Sequence, residues 1–188
     1  MRGTDPNDLD FSTIKRISVL GSSGSGKSTL ARQLGSALGI EAVHLDSLNW
    51  MPGWKERPED DFRRLAHEAA LQDAWVIDGN YSRTLEERFD RSHLIVFIDA
   101  SRYRCMFRVV KRRLLNQGKL RPDRAEGCRE QLDLDLFKWI WTYPARKRGA
   151  MLARLEAIED RTPVIYIENS AQRNRLLESA RRQMAHTA

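Results

Sequence analysis

The chain predicts an α/β fold, a parallel five-stranded sheet with helices on both faces. Three observations carry this. Five short apolar, β-rich runs recur at 14–20, 41–46, 74–78, 94–99 and 163–168, with helix-compatible stretches between them. Near-continuous apolar strands alternating with helices are the pattern of a parallel sheet covered on both sides. Three of the runs end in aspartate (Asp46, Asp78, Asp99) and the last ends in Glu168. Ligands of such sheets bind beyond the carboxyl ends of the strands, so these acids point at one site. Finally, a small-residue stretch with one lysine, 21–29, lies between the first run and a helical pattern.

Length and composition bound the rest. A chain of 188 residues suits one domain with a single core. Hydrophobic residues make up 41% and charged residues 31%, as in soluble globular proteins. No stretch approaches the roughly 20 apolar residues that span a bilayer, and the polar first ten residues lack the apolar core of a secretory signal. The expectation is a loose tail over 1–12, one domain over 13–188, and a cytoplasmic location. Cys105 and Cys128 match no zinc spacing and are expected to be ordinary thiols. The net charge of +6 fits nucleic acid, acidic lipid or a polyanionic small ligand.

Farther along, 101–115 predicts an amphipathic helix. Tyr103, Phe107, Val110 and Leu114 share one face, and Arg104, Arg108 and Arg112 share another. Residues 116–128 are polar with Gly and Pro breakers, which predicts a loop. Two helical pieces follow, 132–141 and 145–160, with Pro144 expected to separate them.

The small-residue stretch fits G-x-x-x-x-G-K-[ST]: Gly21, Ser22, Ser23, Gly24, Ser25, Gly26, Lys27, Ser28, then Thr29. A solvated tether would have neither the strand before it nor the helix after it. Glycines reach positive φ without a Cβ penalty, so successive amides can converge on one anion. The helix that follows adds its positive end. Lys27 supplies charge to the β- and γ-phosphates, and Ser28 a hydroxyl to Mg²⁺. Asp78, ending the third run, is the candidate second metal residue, with Asp99 as its competitor.

Three features bear on what receives the phosphate. Asp46, after the second run, can accept a proton from a substrate hydroxyl, position the acceptor, or cap a helix. His44 beside it is expected only to pack. Asn80, Tyr81 and Arg83, just past Asp78, can reach an acceptor, and Arg83 can grip a phosphate bidentately. The third feature is a basic cluster. Between 102 and 124 lie Arg102, Arg104, Arg108, Lys111, Arg112, Arg113, Lys119, Arg121 and Arg124, against the single acid Asp123. Such charge stabilises a transferring phosphoryl group, solvates a helix, or binds nucleic acid.

The loop, "HLD" (44–46), "MPGW" (51–54), "WVIDGNY" (75–81), the arginine-rich helix and "GKLRPDRAEGC" (118–128) together resemble adenylate-kinase-like P-loop kinases. More narrowly, they resemble the DNA topology modulation proteins. The resemblance implies the three-layer P-loop NTPase fold with strand order 2-3-1-4-5 and a mobile arginine-bearing lid over about 116–131. It implies that Arg108 stacks on the ATP base, that Arg112 meets phosphates, and that Arg121 and Arg124 act from the lid. Arg146 and Arg148 correspond to the arginines that follow the lid, and Arg83 to the one that binds an acceptor phosphate. The segment 49–72, with Trp50, Pro52 and Trp54, departs from authentic adenylate kinases, and "LDSLNW" is similar to the acceptor-facing motif of uridine- and gluconate-type kinases. Lys27, Asp46, Arg112, Arg121 and Arg124 are therefore the expected catalytic residues. Asp46, Trp54, Asn80, Arg83, Arg146 and Arg148 are the expected acceptor residues.

Three readings follow. The first is a small-molecule kinase that uses ATP and Mg²⁺, with an unidentified acceptor. The second is a nucleotide-dependent regulator of DNA topology. The third is a slow ATPase.

Overall fold

The computed structural model describes residues 3–115 and 134–185. In chain order the elements are β1 (Arg16–Gly21), α1 (Lys27–Leu38), β2 (Ala42–His44), α2 (Leu45–Asn49), β3 (Trp50–Met51), β4 (Lys55–Glu56), α3 (Glu59–Leu71), β5 (Trp75–Asp78), α4 (Leu85–Arg91) and β6 (Leu94–Ile98). Then come α5 (Arg102–Leu115), α6 (Leu134–Tyr143), a π-helical turn (Pro144–Arg148), α7 (Gly149–Glu156), β7 (Val164–Ile167) and α8 (Ser170–Ala185).

β1 shows why the sheet is covered twice. Ile17 and Val19 enter one apolar cluster and Leu20 enters another, while buried Ser18 sets its hydroxyl 2.9 Å from that of Ser92. The first cluster is closed by Leu30 and Leu34 of α1 and Leu176 and Leu177 of α8. The second is closed by Leu85 and Phe89 of α4 and Leu155 of α7. A third, under α3, gathers Phe62 and Ala66 against Trp75 and Ile77. Burying each Leu, Ile or Phe this fully is worth about 1.5–3 kcal/mol. The result is a three-layer α/β/α fold with parallel strand order β2-β5-β1-β6-β7. Counted among the five sheet strands alone, that order is 2-3-1-4-5, as expected.

The register sets up the site. Asp78 pairs with Val19 on one side and His44 on the other. The loops leaving β1, β2 and β5 therefore emerge side by side at the carboxyl edge. Asp46 does not end its strand, since β2 stops at His44 and Asp46 lies in the first turn of α2.

Three expectations change. Residues 3–12 are not a loose tail. Phe11 is buried in the main core, Thr4 N–H donates to the Val164 carbonyl, and Gln183 of α8 bonds both Phe11 N–H and the Leu9 carbonyl. Pro144 does not separate two helices, because a wider π turn carries the chain from α6 into α7. The missing amide hydrogen of a proline is absorbed by such a turn.

The third change concerns α5. Its apolar stripe faces outward, with Tyr103 64% and Phe107 66% exposed, while Cys105 and Val109 are buried. Cys105, Arg108, Val109 and Arg112 follow helical spacing on one side, and that side turns toward the small-residue loop. The loop needs both the arginines and a close, small-residue contact, so the bulkier stripe is left outside. Finally, residues 116–133, which hold the expected lid with Arg121, Arg124 and Cys128, lie outside the described residues.

Candidate functional site

The glycine-rich loop adopts the conformation its composition allows. Gly21, Gly24 and Gly26 have φ of 145°, 78° and 98°. Gly24 also lies against α5, where a Cβ would come 2.6 Å from the Cys105 carbonyl oxygen and 2.9 Å from Val109 Cγ2. Arg108 Nη1 donates to the Ser25 carbonyl at 2.5 Å and holds the loop from the same side. From β5, Asn80 holds the start of the loop through both ends of its amide. Gly21 N–H donates to Asn80 Oδ1 at 3.0 Å, and Asn80 Nδ2 donates to the Gly21 carbonyl at 2.9 Å. Asn80, expected to reach an acceptor, lines the larger cavity described below and also braces the loop. Gly24→Ala is expected to push the loop off α5, costing more than about 1 kcal/mol of stability and weakening nucleotide binding. Titration with a fluorescent ATP analogue checks it. Gly39→Ala is the control, since its φ of 67° is also positive but no atom lies within 4 Å of its added Cβ.

α1 begins at Lys27 with no side-chain cap among the described residues, and the first amides of a helix have no partner within it. They open onto a cavity of about 260 Å³ lined by Ser23, Gly24, Gly26, Lys27, Ser28, Thr29, Asp46, Arg108, Arg112 and Arg173. Unmet helix amides together with four cations and one carboxylate suit a polyphosphate. Arg173, from α8, was not foreseen; it reaches Gln33 of α1 through its guanidinium.

Asp78 lies beneath the loop, 3% exposed. Burial alone would raise its carboxyl. The hydrogen bond from His44 (Nδ1 to Oδ1, 2.8 Å), the charge of Lys27 and the Ser28 hydroxyl outweigh burial and hold it below the usual range. Among the described residues no cluster of three or more His, Cys, Asp or Glu gathers to cage a metal. A buried carboxylate beside a P-loop serine suits Mg²⁺, which takes one or two protein ligands and completes its shell with phosphate oxygens and water. Asp99, the competitor, is engaged elsewhere. Arg148 Nε donates to its two oxygens at 2.8 and 3.0 Å, and Nη2 adds a bond at 2.5 Å.

A larger cavity of about 810 Å³ adjoins the first. The two share Ser23, Lys27 and Asp46. Trp50, Trp54, Tyr81, Trp139 and Tyr143 give it aromatic walls, with Glu56, Asp135, Arg83, Lys147 and Arg154 among its charged groups. The segment that departs from authentic adenylate kinases, 49–72, contributes Asn49, Trp50, Trp54 and Glu56 to one wall. β3 and β4 pair antiparallel around Pro52, Gly53 and Trp54. Trp54 has φ 61°, the single positive value among the described non-glycine residues, and its ring meets Trp50 edge-on at 5.6 Å. A bulky residue in that backbone region is a recurrent sign of a functional loop.

Asp46 stands where the cavities meet. Tyr81 Oη donates to Asp46 Oδ1 at 2.9 Å. Burial first, then the adjacent Asp46, pushes the Tyr81 phenol far up, so it remains a donor. Arg83 lines the larger cavity but is paired with Glu59 at 3.0 Å, its guanidinium 5.4 Å from the Phe62 ring centre. Arg146 is exposed and lines neither cavity, whereas its neighbour Lys147 lines the larger one.

Sequence reading also missed Arg88. It is fully buried in α4, donates from Nη2 to the Gly79 carbonyl at 3.0 Å and from Nε to the Thr84 carbonyl at 3.3 Å, and so ties down the turn after Asp78. Burial lowers its pKa to about 10 against the opposing charge of Asp78, so it is cationic at neutral pH. The signal was its place three residues after Leu85 and one before Phe89, on the apolar face of α4.

No family model and no curated protein matches the chain. Solved structures do. A shikimate kinase from Acinetobacter baumannii, in complex with shikimate, aligns with TM-score 0.52 at 18% identity, over 94% of this chain and 96% of that one. A gluconokinase from Sinorhizobium meliloti 1021 aligns with TM-score 0.50 at 18% identity, over 93% of each chain. At that identity the likeness establishes the fold alone, the three-layer α/β/α arrangement shared with those two structures.

Proposed function

We propose that the protein is a small-molecule kinase, moving the γ-phosphoryl group of ATP to a hydroxyl of a small acceptor. The observation that carries this reading is the meeting of two cavities at Lys27 and Asp46. The smaller, cation-lined cavity takes the donor, and the aromatic one takes the acceptor. Shikimate and gluconate kinases on the same fold favour a hydroxyl acceptor over a second nucleotide.

In the proposed step the acceptor oxygen bonds to the γ-phosphorus. The bond from that phosphorus to the β,γ-bridging oxygen breaks, and ADP leaves with the electron pair. Asp46 takes the hydroxyl proton or holds the hydroxyl in line. Lys27 and Arg112 face the charge that spreads over the phosphoryl oxygens, where fixed cations act most strongly. Ser28 and Asp78 would hold Mg²⁺, which supplies charge neutralisation to the phosphates. The aromatic walls of the cavity of about 810 Å³ limit the water that can compete with the acceptor as a nucleophile.

The DNA-topology reading has no support from the fold or the site. Arg108 and Arg112, the inner basic residues of α5, line the donor cavity, and no described element forms a recognised nucleic-acid motif. No described helix is long and apolar enough to cross a membrane.

The test is ADP release from ATP with Mg²⁺, with and without a panel of shikimate, gluconate and other sugar acids, nucleosides and nucleoside monophosphates. The expected result is a large stimulation by one compound class. A rate equal in every case would support the slow-ATPase reading.

A further inference from the structure

The two carboxylates of the site are each held by the other's loop. The β2 end supplies His44 and, two residues on, Asp46. The β5 end supplies Asp78 and, three residues on, Tyr81. His44 bonds Asp78 at 2.8 Å, and Tyr81 bonds Asp46 at 2.9 Å. We propose that His44 and Tyr81 form a crossed clasp, two positioning residues that fix one oxygen of each carboxylate and leave the other for chemistry. This rests on the kinase reading above and adds residues to which that reading gave no role.

The geometry favours positioning over simple packing. Each bond takes Oδ1 of its aspartate, while Ser28 and Lys27 also act on the Asp78 carboxylate and Asp46 lines both cavities. His44 and Asp78 are a register pair on adjacent strands, so the strands themselves set their separation. A carboxylate only accepts, so His44 Nδ1 carries the proton it donates. Tyr81 is steadied independently by Phe62, whose ring centre lies 4.8 Å from its own. Removing its hydroxyl therefore leaves the ring packed. The crossing also couples the two loops, because neither carboxylate can shift without dragging a residue of the opposite loop.

The clasp predicts separable losses. Tyr81→Phe is expected to lower kcat by about 10- to 100-fold with the best acceptor of the panel. It should leave unchanged the gain in affinity for a fluorescent ATP analogue on adding Mg²⁺. His44→Leu is expected to erase about 10- to 100-fold of that Mg²⁺-dependent gain and to leave the acceptor KM alone. His44→Asn puts an amide donor near the position of Nδ1 and is expected to recover most of it. That variant keeps the test open if His44→Leu fails to fold, which thermal unfolding would reveal. Equal losses of both readouts in both variants, or loss in neither, overturn the clasp, as does His44→Asn behaving like a folded His44→Leu. If the wild-type protein turns over no panel compound, the Tyr81 half falls with the kinase reading. The nucleotide titration still decides the His44 half.

Discussion

Lys27→Ala is expected to reduce phosphoryl transfer by about 10³-fold or more while leaving the fold intact. Among the described residues Lys27 is the one cation that lines both cavities. On the proposed reading it faces the γ-phosphoryl group throughout its passage, where removing a single preorganised donor costs about 10²–10³-fold. Its charge also helps to hold Asp78 ionised, so its loss weakens the metal side of the site as well. The fold is insulated from the change, since Lys27 is only partly buried and the core around α1 rests on Leu30, Leu34 and Leu38. Steady-state kinetics with the best acceptor, together with thermal unfolding, checks both halves. Normal turnover by a folded Lys27→Ala protein would remove the basis for placing the donor on this loop.

Asp46→Asn is expected to lower kcat by about 10²–10⁴-fold, the range of general acid–base contributions, with little change in the KM for ATP. The amide keeps an oxygen for the Tyr81 hydroxyl, so the side chain stays in place and only its capacity to take a proton is lost. Retained acceptor binding with a lost rate identifies Asp46 as the base. Lost acceptor binding identifies it as a positioning group. Wild-type rates in the variant would exclude the base role and turn attention to Glu56 or Asp135 on the same cavity wall.

Much of the fold was legible because it follows local rules. The five apolar runs became the five strands of the sheet, and the Gly21 to Ser28 motif lies between strand and helix as its spacing required. The loop wall of the smaller cavity, Ser23 to Thr29, was legible for the same reason, since those residues are consecutive, whereas Arg173 from α8 was not. Nor was the larger cavity. Its walls come from α2, the β3–β4 hairpin, the turn after β5 and α6, which meet only in three dimensions. His44 looked like a packing residue because its partner is 34 positions away. Arg88 was hidden by its charge, although its helical position marked it as inward. Periodicity failed on α5 because both of its faces follow the same spacing, and the choice between them is made by the loop it must touch. Arg148, expected at a ligand, is instead spent on Asp99, a pairing between residues 49 apart.

On the proposed reading ATP and a hydroxyl compound occupy adjoining cavities, and the phosphoryl group passes from one to the other where Lys27 and Asp46 meet. Phosphorus NMR of the wild-type protein with ATP, Mg²⁺ and the acceptor panel is the direct test. A new phosphomonoester resonance is expected, growing in step with ADP and absent in Lys27→Ala. Growth of inorganic phosphate alone, at a rate indifferent to every compound in the panel, would contradict it.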